Sequence, residues 1–181
     1  MKCEHCDIIN GNSKAKIIFE DNEVVVAIKD LAVSPGQVTV FPKEHFTILE
    51  LVPNNILEKC ANLANKVGVA VFDGLAAQGT NILIKNGLGA NQNVPHFSID
   101  IIPRREEDGL DLTWAPNQLM EDEMETALMT LNKELDNVLK DNKEQETKSD
   151  EKVEKQGKGA KKEKSKEDKD NYLLKTIRRI P

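Results

Sequence analysis

Residues 94–104 read V-P-H-F-S-I-D-I-I-P-R, and this alternation restricts the chain more than any other stretch. Side chains on a strand alternate with period two, so Val94, His96, Ser98, Asp100 and Ile102 share one face while Phe97, Ile99 and Ile101 take the other. The second face is apolar and calls for a core. The first carries three polar groups in a row. Neighbours two apart on a strand are separated by about 6.6 Å, so His96, Ser98 and Asp100 can line one small-molecule site. An edge strand with one wet face accounts for the same pattern, and the rest of the chain has to decide between them.

Upstream, two β-rich runs over 16–19 and 23–30 flank the polar turn E-D-N and read as a hairpin. Pro35-Gly36 marks a tight turn, 37–41 a third strand, and Pro42 its end. Between 54 and 77 apolar residues recur at Ile56, Leu57, Cys60, Leu63, Ala64, Val67, Val71 and Leu75, a helical stripe. A fourth strand over 80–85 leads through the loop N-G-L-G-A-N-Q-N into the strand at 94. The glycines and asparagines of that loop suit either a hairpin turn or a backbone that approaches a ligand closely. From Asn117 onward Met124, Leu128, Leu131, Leu135 and Val138 return at helical spacing, an apolar stripe on an acidic helix that needs a partner surface. Five strands, one long helix and a second helix after the sheet make an α+β fold.

Charge is unevenly placed. Residues 1–139 hold 11 Lys and Arg against 21 Asp and Glu, a poor balance for tracking a phosphate backbone, which needs cations. Residues 140–170 hold 21 charged residues and only Val153 and Ala160 as apolar ones. They cannot bury enough surface to offset the entropy of ordering, and read as a solvated linker in which transient helix is possible. Residues 171–181 carry three cations and no anion beside Tyr172, Leu173, Leu174, Ile177 and Ile180, an amphipathic basic segment suited to docking on a macromolecular partner. The expected divisions are therefore a domain over 1–139, a linker over 140–170 and a docking segment over 171–181. No apolar run approaches the ~20 residues that cross a bilayer, and the N-terminus has no secretory pattern, so no membrane role and a cytoplasmic setting are expected. Cys60 falls on the helical stripe as a small core residue. Cys3 and Cys6 form C-x-x-C, which is either a metal-binding pair or two idle thiols.

Taken in order, C-x-x-C, a strand ending in Asp30, S-P-G, P-K-E-H, N-I-L-I-K-N-G, N-Q-N-V-P-H and I-I-P-R resemble the histidine triad family of nucleotide hydrolases and transferases. The resemblance covers about residues 1–139. It implies a five-stranded antiparallel sheet with a long helix, paired as a homodimer. The family's three alternating histidines fall here at His96, Ser98 and Asp100, so only the first is kept. The middle one is the family's nucleophile. Serine is a weak nucleophile near neutral pH without a base, and Asp100 puts a negative charge where a phosphate would lie, so the family's catalysis is expected to be lost or greatly weakened. Gln37 departs from a further histidine position. The resemblance also implies zinc held by Cys3, Cys6, His45 and His96, a closed set of two thiolates and two imidazoles that suits a structural tetrahedral site. His5, inside C-x-x-C, is expected to be a bystander. Asp30 matches the residue that holds the ribose hydroxyls, Ile28 the base pocket, and Asn86, Gln92 and Asn93 the groups around the phosphate, with a purine nucleotide as ligand. Two alternatives stay open: an active phosphohydrolase or nucleotidyl transferase with a non-standard mechanism, and an RNA- or ribonucleoprotein-associated factor acting through the basic tail.

Overall fold

The computed structural model describes residues 3–153, with side chains through 139. The elements run α1 (Glu4–Ile9), β1 (Lys16–Glu20), β2 (Val24–Ile28), β3 (Val38–Pro42), α2 (Asn54–Leu75), β4 (Gly79–Leu83), β5 (Ile99–Arg104) and α3 (Glu121–Val153). The five strands form one antiparallel sheet in the order β1-β2-β3-β5-β4. This is the expected α+β architecture. The chain divides into two compact units, Met1–Thr113 and Trp114–Pro181, and the boundary expected at 139 falls within α3.

In the first unit the sheet is covered on both faces, and the sequence of β2 shows why. Val24 and Val26 point to a large cluster that includes Val40, Ile99, Ile101 and the α2 residues Cys60, Ala64 and Val71. Val25 and Ala27 point the opposite way, to Phe41 and to Ile8 of α1. A strand buried on both faces has no polar position to spare, so V-V-V-A reads as a run and not as an alternation. Each fully buried Val or Ile contributes about 1.5–3 kcal/mol. β1, at the edge, is exposed along its whole length.

α2 presents Ile56, Cys60, Ala64 and Val71 to the sheet, at the spacing the stripe predicts. It stops at Ala76, which is left-handed with φ 52°. Gly36, in the turn before β3, has φ +83° and packs so closely on Leu75 that a Cβ there would collide with that side chain.

α1 is absent from the sequence reading. It spans six residues, under two turns, too short for a 3.6-residue period to register. The strand expected over 94–104 begins only at Ile99. β3 and β5 pair Val38 with Ile101, Thr39 with Asp100 and Val40 with Ile99. Continuing that register would bring in Pro42, which has no N–H to donate, and Pro95 lies just upstream. The amide of Phe97 bonds instead to the carbonyl of Phe46 at 2.6 Å. Pro42 is the last residue of β3 and is fully buried, so it ends the strand as expected.

In the second unit α3 carries Met124, Leu128, Leu131, Leu135 and Val138, all exposed. It continues to Val153, into the stretch expected as linker. The remainder of that stretch and the docking segment 171–181 lie outside the described residues. Among the described residues no helix is long and apolar enough to cross a membrane.

Candidate metal centre and adjoining cavity

Four side chains from three separate segments converge on the face of the sheet opposite α2. Cys3 precedes α1, Cys6 lies within it, His45 follows β3 and His96 precedes β5. One ligand atom from each lies within 4.8 Å of every other. Cys3 Sγ is 3.5 Å from His96 Nδ1, Cys6 Sγ 3.7 Å from the same atom, and Cys6 Sγ 3.2 Å from His45 Nδ1. A tetrahedron with Zn–S near 2.3 Å and Zn–N near 2.0 Å has S···N edges of about 3.5 Å. The donor set therefore fits zinc in kind, number and spacing. An ion held by this set would have all four positions of its tetrahedron filled by protein, the arrangement typical of structural sites.

His96 is oriented for that task. Its Nε2 lies 2.9 Å from the carbonyl of Pro42, which can only accept, so Nε2 carries the proton and the Nδ1 lone pair faces the sulfurs. The bend at 94–96, closed by the amide of His96 on the carbonyl of Val94, sets the ring at that angle. Burial lowers the pKa of His96 and nearby His45 adds to the effect, against the Pro42 hydrogen bond, which favours the charged ring. Burial raises the Cys6 thiol, helped by the hydrogen bond and charge of Cys3 and then by Asp7. A bound dication reverses that balance, because it stabilises thiolates directly.

His5 belongs to none of these pairs. Its ring stacks on Phe41 at 4.4 Å and 12° and meets His96 edge-on at 5.3 Å. It is 1% exposed. Its pKa is lowered to about 3, first by burial, then by Lys29, His96 and His45.

Beside the metal group a cavity of about 180 Å³ brings His96, Ser98 and Asp100 together, so the alternation gathers these three as expected even though His96 stands off the strand. The hydroxyl of Thr39 donates to Asp100 Oδ1 at 2.7 Å and fixes that carboxylate. Gln92 and Asn93 also line the cavity. The Gln92 amide is spent on backbone groups: Oε1 accepts from the Gly87 amide at 2.7 Å, and Nε2 donates to the carbonyls of Thr47, in the segment after β3, and Val94. Asn86 is turned elsewhere, accepting from the Leu49 amide and donating to Glu50. Lys85, one residue earlier, lines the cavity instead. The same shift occurs after β2. Ile28 and Asp30 are exposed and outside the wall, while Lys29 between them is part of it. Period two explains this, since Lys29 shares a face with Val25 and Ala27, on the metal side of the sheet. Sequence reasoning passed over Lys29 and Lys85; His5, expected to be a bystander, stands outside the metal set but lines the cavity. For the two lysines the signal was available in the parity of the positions.

A model of the HIT domain matches residues 10–107, a span that contains His45, His96, Ser98 and Asp100 but starts after the two cysteines. An uncharacterised HIT-like protein of Methanocaldococcus jannaschii is 36% identical over 108 residues, 59% of this chain and 82% of its own length. An adenylylsulfatase of Arabidopsis thaliana is 30% identical over 117 residues, 65% of this chain; the chain spans only 58% of that protein's length. Among solved structures, a zinc-bound histidine triad family protein from Mycobacterium smegmatis superposes with a TM-score of 0.58 at 30% identity, covering 65% of this chain and 85% of that one.

Proposed function

The chain belongs to the HIT family, and from that premise we propose that it is a nucleotide-binding member whose zinc is structural and whose hydrolase chemistry is lost or greatly weakened. The observation that carries this reading is the commitment of His96. Its Nε2 is bound to the Pro42 carbonyl and its Nδ1 faces Cys3 and Cys6. Neither nitrogen is free to take or give a proton in the cavity. The other two triad positions hold Ser98, a weak nucleophile without a base, and Asp100. Two like charges about 4 Å apart repel by roughly 1 kcal/mol even in water, so Asp100 opposes an incoming phosphate.

Zinc supplies cross-linking here. Cys3, Cys6, His45 and His96 hold it and tie α1 to the ends of β3 and β5. Asp30 and Ile28, just outside the cavity wall, remain the candidates for ribose and base, with Asn93 at the phosphate end and Gln92 bracing the loop beside it. A homodimer and a cytoplasmic setting belong to the same reading. So does a macromolecular partner taken through 171–181.

A second reading, hydrolysis of an adenylyl anhydride without a triad nucleophile, is favoured by the likeness to the Arabidopsis adenylylsulfatase. One experiment separates the two. Wild type is expected to turn over neither adenosine phosphoramidate, adenylyl sulfate nor dinucleoside polyphosphates above a blank. Ser98→His together with Asp100→His rebuilds three alternating imidazoles and should give a nucleotidyl-protein adduct visible by mass. Robust wild-type turnover that survives Ser98→Ala overturns the first reading in favour of the second.

A further inference from the structure

The cavity beside the metal group contains an imidazole that the alternation of 96, 98 and 100 does not supply. His5 forms part of its wall, together with Lys29, Lys85, Asn93, Ser98 and Asp100. Neither ring nitrogen of His5 has a hydrogen-bond partner among the described residues, and both are buried. Its stacking on Phe41 is a task a phenyl ring would perform without burying two polar atoms. A buried polar atom left without a partner is costly, and native structures keep one where a ligand, an ion or water completes it. The metal group does not need it, since two sulfurs and two imidazoles already make a full tetrahedral set without His5.

The charges on the wall indicate what completes it. Lys29 is half-buried and Lys85 exposed, and neither forms an ion pair among the described residues. Glu4 and Asp100 lie on the same wall, so formal charge nearly cancels, and Asp100 is already engaged by Thr39. Net charge cannot select an anion here. Directed donors can, and a neutral imidazole offers one N–H.

We propose that His5 donates a ring N–H to an oxyanion, a phosphoryl or sulfuryl group, bound in this cavity, with Lys29 and Lys85 as its cationic neighbours. The imidazole lost from position 98 of the chain is thus replaced, for binding and not for covalent chemistry, by one delivered from α1. This rests on the nucleotide reading of the cavity and names the group that would meet the phosphate.

The test uses zinc-loaded full-length protein with three probes: adenosine monophosphate, adenosine and inorganic phosphate. The chain has three histidines, so ring ¹H–¹⁵N signals can be assigned by single substitutions. Either phosphate-bearing probe should shift the His5 ring signals of wild type, while adenosine should not. By calorimetry His5→Phe should bind the monophosphate about tenfold or more weakly, the loss expected for a hydrogen bond to a charged group, with adenosine affinity and zinc content unchanged. Should His5→Phe lose zinc, the wild-type ring signals alone decide. If the monophosphate binds with the His5 signals unmoved and equal affinity for the variant, the inference is overturned and the nucleotide reading stands. If inorganic phosphate moves His5 but no nucleotide binds, the nucleotide reading falls and the oxyanion site stands. Binding of neither probe overturns both.

Discussion

Replacing His5 by Phe should make the protein less sensitive to acid by an amount that follows from burial of the ring. The folded-state pKa of His5 is about 3 against an ordinary 6.5. Between those values the unfolded chain binds a proton that the folded protein refuses, so stability is complete above the unfolded pKa and is lost as pH falls. Linkage puts the loss from this one residue at about 2 kcal/mol on going from pH 8 to pH 5. At pH 5 the result is nearly independent of whether the folded pKa is 3 or 4, because the unfolded state dominates. Phe keeps the aromatic stack on Phe41 and titrates nowhere. The assay is urea unfolding of zinc-loaded wild type and His5→Phe at pH 8 and pH 5, with free energies from linear extrapolation. Groups remote from the ring titrate alike in both proteins, so with zinc content matched at each pH the difference between their pH dependences isolates His5. A difference that stays within about 0.5 kcal/mol of its pH 8 value at pH 5 refutes the argument, because it would mean that the ring is solvated or partnered in the folded state.

Two further outcomes follow from the site. Freshly purified protein should carry about one zinc per chain by elemental analysis. Cys3→Ser or His45→Ala should lower both the zinc content and the melting temperature, and acidification below the ordinary histidine range should release the metal as protons compete for its ligands; absence of stoichiometric zinc removes the structural-metal reading. In calorimetry with adenosine monophosphate, Asp30→Ala should weaken binding if ribose is held there, and Lys29→Ala should weaken it if the phosphate end is; equal affinity in both variants refutes that layout.

Much of the fold was legible because it rests on long patterns. The stripe from Ile56 to Leu75 spans over five turns and located α2 to within two residues at its C-terminal end. Pro35-Gly36 and Pro42 bounded β3 at the right places, whereas β2 ends at Ile28, two residues before Asp30. What escaped was short or set by tertiary contacts. α1 is too brief to show a period, yet it delivers both Cys6 and His5. His96 left its strand because Pro42 and Pro95 interrupt the ladder, which no periodicity reveals. The cysteines and histidines of the metal group were recoverable from order and type. The cavity wall was less so: Asn86 and Lys85 are adjacent, and only the packing of Asn86 against Leu49 and Glu50 decides which one faces inward.

The contact between Cys3 and His96 joins residues 93 apart in sequence. In chain-entropy terms, a bond closing a loop of that order removes about 4–5 kcal/mol of freedom from the unfolded ensemble, on the scale used for covalent cross-links. A metal holding those ends acts as a reversible version of such a link. Because contacts of high sequence separation are the slowest to form, this clasp would close after the sheet has assembled. An interaction absent from the folding transition state slows unfolding and leaves the folding rate almost untouched. The metal group would then set how long the protein survives once folded more than how quickly it folds.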